Sequence, residues 1–166
     1  MIDLNNPRQY VQLPPVTLSG TLVDILNLPS HVTRVDVKIA NMSTTGTSIP
    51  ILQIGDSGGI VTSGYSGDVS VVTSAPAVSA GPLSTGLALS TAVIAATQIN
   101  GEVTLSRVTP ASNLWTMSFI GSFQGGGITI NSASIRGLTN VLDRLRLTTF
   151  GGVDTFDGGT ISVSYI

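Results

Sequence analysis

The chain has 166 residues, enough for one domain with a full hydrophobic core, and only 10% of them are charged. A typical globular protein has about 25% charged residues. The net charge of −2 at pH 7 argues against a nucleic-acid-binding surface, and the absence of cysteine excludes disulfides and thiolate metal sites. Because so few charges solvate the surface, we expect partner chains to cover part of it.

The N-terminal residues predict an arm. Residues 1–6 show neither a basic segment nor an apolar core, so we expect no secretory signal, and the lack of any run of about 18 apolar residues predicts no membrane insertion. The proline pair that follows Leu13 favours an extended backbone. We interpret residues 1–15 as an extended arm and 16–166 as one domain. The arm is either a loose end or an anchor on a neighbour, through Arg8, Tyr10, Pro14 and Pro15.

The next part of the chain alternates between apolar and polar residues, which is typical of strands. Residues 16–22 alternate with a break at Gly20. Residues 34–39 then place valine and isoleucine on one face and Arg34, Asp36 and Lys38 on the other, as in a half-buried strand. A strand over 49–54 follows, with Pro50 at its start or on an edge. Residues 55–68 read as a glycine-rich loop around Tyr65.

The second half continues the alternation after an uncharged stretch. Residues 69–101 carry no charge, and we favour loop and strand there over a short helix at 87–98. Trp115, Met117 and Phe119 alternate with Thr116 and Ser118, which predicts that the only tryptophan is in the core. Strands are also expected over 128–135, 145–149 and 161–165. The eight to ten strands predict an all-β fold, an antiparallel β-sandwich of jelly-roll type.

Several stretches together resemble a known module. They are residues 28–35, 43–48, LQIGDSGGI at 52–60, TSGY at 62–65, NLW at 113–115 and LDRLRLTTFGGVDTFDGGTISVSY at 142–165. In this order they resemble a module of tailed-bacteriophage virion proteins, which often forms the C-terminal part of tail-fibre-type proteins. The resemblance spans about residues 25–166. The chain departs from it by ending on Ile166, where the family tends to have an acidic residue, and by having no long fibre shaft.

The resemblance implies a non-enzymatic structural protein on the phage virion surface, made in the cytoplasm of the bacterial host. It implies a homotrimer whose other partners are capsid or tail proteins. The size of the chain favours a capsid decoration or accessory surface protein over a full tail fibre. The alternative is a tail-fibre-type receptor-binding module that contacts host glycans. For that function we single out a loop with Asp56, Ser57, Tyr65 and Asp68, and Tyr10 and Tyr165 as further tyrosines that could stack on sugar rings.

The pentapeptide GDSGG at 55–59 reproduces the sequence around the nucleophile of chymotrypsin-like serine proteases. Such catalysis needs a histidine base and a carboxylate that orients it. The only histidine is His31, which lies in a Pro-Ser turn, with Asp36 a conceivable orienting group. The chain is too short for a two-barrel protease, and a turn after a strand explains every residue of the motif. We therefore predict no enzymatic activity and no catalytic residue.

The acidic residues raise the question of a metal site. Asp154 and Asp157, with Asp56 or Asp68, could ligate Ca²⁺, which prefers oxygen ligands. Asp-Gly segments are far more often turns, so we predict neither a metal nor a cofactor. Arg144 and Arg146 share one strand face, which we interpret as a solvated face or as ion pairs between neighbouring subunits.

Overall fold

A computed structural model describes residues 10–73, 78–91, 93 and 95–166. Within these residues the chain forms fourteen strands, with one 3-10 turn over Phe150–Gly152. In chain order the strands are β1 (Val11–Gln12), β2 (Val16–Thr17), β3 (Leu22–Leu26), β4 (Arg34–Thr44), β5 (Pro50–Asp56), β6 (Gly59–Ile60), β7 (Ser66–Thr73), β8 (Val78–Pro82), β9 (Leu87–Ala88), β10 (Ile99–Arg107), β11 (Leu114–Phe123), β12 (Ile128–Gly137), β13 (Arg144–Thr149) and β14 (Phe156–Tyr165).

The strands form two antiparallel sheets. The large sheet has the order β1-β14-β4-β10-β11-β12-β7-β8, and β2 also pairs with β14. The small sheet has the order β3-β13-β5-β6, and β9 also pairs with β5. The hydrophobic core lies between the sheets and contains residues of both. The prediction of an all-β antiparallel sandwich is confirmed, whereas the finer assignment to a jelly roll stays a prediction.

The predicted alternation in β11 is confirmed. Trp115, Met117 and Phe119 are each at most 2% exposed and pack in the core. The ring of Phe119 lies over β11 and β10, where a Cβ added to Gly121 would come within 2.2 Å of a ring carbon. Glycine is therefore required at this position because a side chain would overlap the aromatic ring.

One predicted strand is divided between the two sheets. The sequence indicated a single strand over 16–22 with a break at Gly20, but β2 belongs to the large sheet and β3 to the small one. Gly20 has a φ of 73° and connects them. The alternation of apolar and polar residues therefore continues on both sides of a change of sheet. The chain can change sheets at Gly20 because glycine accepts this left-handed backbone with little strain.

The described part of the predicted arm is attached to the large sheet. Val11 pairs with Tyr165 in β14, and the Leu13 N–H donates to the Val163 carbonyl at 2.8 Å. Tyr10, Pro14 and Pro15 are exposed, and Arg8 lies outside the described residues. Residues 11–15 are therefore an edge of the domain, since they satisfy backbone groups of β14.

The uncharged stretch contains further strands. Residues 69–73 belong to β7, residues 78–82 to β8 and residues 87–88 to β9. The described part of this stretch therefore forms strands and connecting loops rather than a helix. Its residues complete one end of the large sheet and add a short strand to the small one.

Candidate functional site

Asp56 was predicted to face a receptor, and this prediction is wrong. The side chain is only 5% exposed, and its two carboxylate oxygens accept the Gly58 N–H at 2.8 Å and the Asn140 N–H at 2.7 Å. The bond from the Asn140 N–H holds the pKa of Asp56 below its usual range, and the Gly58 N–H lowers it further. Asp56 therefore fastens the turn between β5 and β6 to the segment before β13, and this explains the GDSGG motif as a turn.

Tyr65 was predicted to face the same receptor, and it is also buried. Its hydroxyl accepts the Ile54 N–H at 2.8 Å and donates to the Val61 carbonyl at 2.8 Å. The guanidinium of Arg136 lies 5.9 Å from the ring centroid, within the range of a cation–π contact. Burial raises the pKa of Tyr65 to about 12. The ring cannot stack on a sugar because it is only 4% exposed and Arg136 lies over it.

The two remaining residues of the predicted loop are exposed but lie in different sheets. Ser57 is in the tight turn between β5 and β6 of the small sheet. Asp68 lies in β7 of the large sheet, where its carboxylate accepts the Val69 N–H at 2.7 Å. The four residues therefore do not form one receptor-binding surface. Tyr165 is half-buried against the core, which leaves Tyr10 as the exposed tyrosine of the described chain.

The carboxylates considered for Ca²⁺ are engaged separately. Asp154 accepts the Ser48 N–H at 2.6 Å, and Asp157 accepts the Ser43 hydroxyl at 2.5 Å. Among the described residues no group of three or more histidine or acidic side chains could hold a metal ion. Asp157 thus connects β4 to the start of β14, and Asp154 connects the loop between β4 and β5 to the segment before β14.

Arg34, Arg144 and Arg146 each form an ion pair within the chain. Arg146 donates from Nε and Nη2 to the two oxygens of Asp24 across the β3–β13 pair, both at 2.7 Å. Arg144 binds Asp143 at 2.6 and 2.9 Å, and Arg34 binds Asp36 at 3.0 Å. The hydrogen bond from Arg146 is the main cause that lowers the pKa of Asp24. Several of the chain's few charged residues thus form ion pairs that stabilise the fold.

The outer face of the large sheet is a surface of the described chain that has few charged side chains. We use this name for the outward side chains of β7, β10, β11 and β12, which alternate with the core residues of those strands. Glu102 and Asp68 are its charged members and lie on the two outermost of these strands. The outward residues of the two central strands are Thr116, Ser118, Ile120, Ser122, Thr129, Asn131, Ala133 and Ile135.

Strand register arranges these residues in rows across the outer face. One row runs from Thr104 through Ser118 and Ala133 to Asp68. The next runs from Glu102 through Ile120 and Asn131 to Ser70, so Ser118 and Ile120 lie at the centre. Ile120 is 66% exposed, the highest value among the apolar side chains of this face. Three shallow concavities of about 470, 450 and 490 Å³ lie along the rows.

The side chains of the outer face suit packing rather than chemistry. Its members include no aromatic ring, histidine or cysteine, so it offers neither a sugar-stacking platform nor a nucleophile with its base. Serine and threonine hydroxyls can donate and accept hydrogen bonds, and isoleucine and valine add apolar area. Ile120, Ile135 and Val72 are exposed by 66, 37 and 41%. Such a surface can pack against another sheet.

A polar concavity lies on the opposite side of the molecule. It has a volume of about 310 Å³ and is lined by residues that include Gln53, Thr148 and Arg146. These groups are already bonded within the chain: Gln53 donates to the Thr85 carbonyl and Thr148 to the Thr21 carbonyl, each at 2.8 Å. We therefore take the outer face of the large sheet, and not this concavity, as the candidate functional site.

Comparison of the chain with protein-family models, curated proteins and solved structures found no match. In the described part of the chain, no helix has the length and apolar character needed to cross a membrane.

Asp68 is the one predicted site residue that lies on the outer face, and the residues at the centre of the face were not predicted. These residues can be recognised by the absence of charge at the outward positions of their strands. The outward residues of β4 include Arg34, Asp36 and Lys38, whereas those of β11 include Thr116, Ser118 and Ile120. A half-buried strand whose outward positions carry no charge is a sign of a covered face.

Proposed function

We propose that this chain is a non-enzymatic structural protein on the surface of a tailed-bacteriophage virion, where it acts as a capsid decoration or accessory protein. The observation that carries the proposal is the exposed outer face of the large sheet, whose two central strands, β11 and β12, point no charged side chain outward. Most solvated sheet faces carry charged residues, as the outward positions of β4 do here. A face of this kind fits a protein that works by packing into an assembly.

The proposal accounts for the low charge content. With 10% charged residues, the chain places several of them in ion pairs within the fold. A decoration protein needs shape and contact area rather than a catalytic centre, and the outer face supplies both. The resemblance to tailed-phage virion modules supports the location on a particle and a homo-oligomeric state, with a trimer as the form the family implies.

The burial of Asp56 and Tyr65 weakens the alternative of a receptor-binding module. Two of the four residues expected to face a receptor are engaged with the protein backbone instead. The described loops between strands also offer no cluster of exposed aromatic side chains: Phe150, between β13 and β14, is 49% exposed, whereas Tyr65 is buried. We therefore place capsid decoration ahead of host attachment.

Immuno-electron microscopy of intact particles tests this function. An antibody against the purified protein should label the head at regular positions if the chain is a decoration protein. Label confined to the tail would favour the attachment alternative. An absence of label on particles that contain other known virion proteins would contradict the virion proposal.

A shortened chain tests how the protein is held on the particle. Removal of residues 1–9 leaves all the described strands, which begin with β1 at Val11. We expect this variant to keep its strand content in circular dichroism but to lose binding to stripped particles. Full retention of binding would remove the anchoring role from Arg8 and its neighbours.

A further inference from the structure

We infer that the outer face of the large sheet binds the outer face of a second copy of this chain, centred on Ser118 and Ile120. The inference rests on the proposed homo-oligomeric state, but a contact between identical faces joins two copies around a two-fold axis, so it gives a dimer rather than the trimer that the resemblance implies. It concerns contact between copies only, so it can fail while the virion location holds, and it can hold without that location.

The area of the face reaches that of a specific contact when the contact extends onto β4, the next strand of the large sheet. Neighbouring strands are spaced by about 4.8 Å and a strand rises by about 3.4 Å per residue. With about seven residues per strand, the four strands of the face cover roughly 460 Å² per copy, and the addition of β4 gives roughly 570 Å². The total for two copies with β4, about 1,140 Å², exceeds the roughly 1,000 Å² expected of a biological interface, whereas the four strands alone give about 910 Å².

The distribution of charge makes the face complementary to itself. No charge lies on the outward side of β11 or β12, so two identical centres meet without repulsion between like charges. At one margin the charges are balanced: Arg34 binds Asp36, and Lys38 is directly opposite Glu102 in the β4–β10 pair. The other margin carries Asp68 on β7, so each face has one net negative charge there. When the β7 margin of one copy lies over the β4 margin of the other, the two Asp68 carboxylates are held apart.

The chemistry of the centre also fits an identical partner. Hydroxyl groups donate and accept hydrogen bonds, so a serine or threonine of one copy can bind the same residue type in the other. Ile120 projects from the centre, and concavities of about 450 and 490 Å³ on either side of it can receive the Ile120 of the second copy. An apolar centre with a polar margin is the usual anatomy of a protein–protein interface.

Sedimentation of the purified protein tests the inference. We expect the wild-type chain to sediment as a multiple of its 17.0 kDa mass. The variant Ile120→Glu should weaken self-association by about a hundredfold, because its carboxylate would be buried without a partner in the contact. The matched control is Val153→Glu, which changes an equally exposed valine (69%) in the loop before β14. This control should sediment like the wild type.

A second variant protects the test against misfolding. Ala133→Arg places a positive charge beside Ser118 in the same row. Both face variants should keep the circular dichroism spectrum of the wild type and both should become monomers. The inference is overturned if the wild type is monomeric, if folded Ile120→Glu and Ala133→Arg still associate, or if Val153→Glu dissociates to the same extent. A monomeric wild type whose face variants fail to bind particles would assign the face to another virion protein instead.

Discussion

The outer sides of the two sheets differ in how their polar groups are used. On the small sheet, Asp24 and Arg146 form a bidentate ion pair across two strands, and Gln53 and Thr148 bind backbone carbonyls of neighbouring segments. Ile51 points to the same side and is only 2% exposed, since loops of the chain itself cover it. On the large sheet, the central strands present short hydroxyl side chains and the exposed Ile120.

If the proposed contact between copies exists, this difference separates the surface that the chain covers by itself from the surface that a second copy covers. A sheet face that the chain covers can bury charged residues, provided that each finds a partner in the fold. A face that a second copy covers is better without charges, because a charge would be desolvated on every association. The following predictions separate the two cases.

The largest loss of stability is expected at Asp56, which connects one end of the small sheet to the segment before β13. Asp56→Ala removes the carboxylate that accepts the Gly58 and Asn140 N–H groups, and a hydrogen bond to a charged group contributes about 1.5–3 kcal/mol. Urea denaturation should show this loss in the free energy of unfolding. The adjacent exposed Ser57→Ala should change it by less than about 0.5 kcal/mol. Equal effects of the two substitutions would contradict the assignment of Asp56 as a structural connector.

The next effect concerns Tyr65 and high pH. The pKa of this tyrosine is raised from 10.0 to about 12 in the folded chain. Below pH 10 the Tyr65 hydroxyl is protonated in both the folded and the unfolded chain. Between pH 10 and 12 it loses its proton in the unfolded chain but keeps it in the folded one. The free energy of unfolding should therefore fall by about 2–3 kcal/mol across this window. Tyr65→Phe should make this fall smaller, and an unchanged pH profile in that variant would contradict the buried position.

A smaller effect is expected for the cross-strand pair on the small sheet. A double-mutant cycle of Asp24→Ala and Arg146→Ala should give a coupling of about 1 kcal/mol, because the pair is bidentate and partly buried. The lowered pKa of Asp24 means that this coupling is present at neutral pH and is lost as the pH falls below 3.8 towards the folded-state pKa. A coupling that persists after protonation would show that Arg146 acts through packing alone.

The smallest effect on folding is expected at the outer face. Thr116→Ala and Ser122→Ala change exposed side chains, so each should alter the stability of the isolated chain by less than about 0.5 kcal/mol. Measurements at low protein concentration give this value without a contribution from association. A loss of several kcal/mol in the monomer would mean that the face supports the fold rather than a contact between copies.

The sequence predicted the strands more reliably than the site. Alternation in residues 34–39 and 115–119 predicted β4 and β11 and placed Trp115 in the core, because period-two alternation records burial directly. The sheet change at Gly20 was not predicted, since alternation continues on both sides of it. Asp56 and Tyr65 were assigned to a receptor because loops usually carry function. Their backbone partners, Asn140 and Ile54, are brought to them only by the fold.

The contact between copies can be tested most directly by disulfide trapping. The chain has no cysteine, so a single introduced cysteine can form a disulfide only with another copy. Under mild oxidation at low protein concentration, Ser118→Cys should give a covalent dimer on a non-reducing gel, and the control Val153→Cys should not. Equal cross-linking of the two variants, or none at Ser118, Ile120 and Ala133 tested in turn, would contradict face-to-face association.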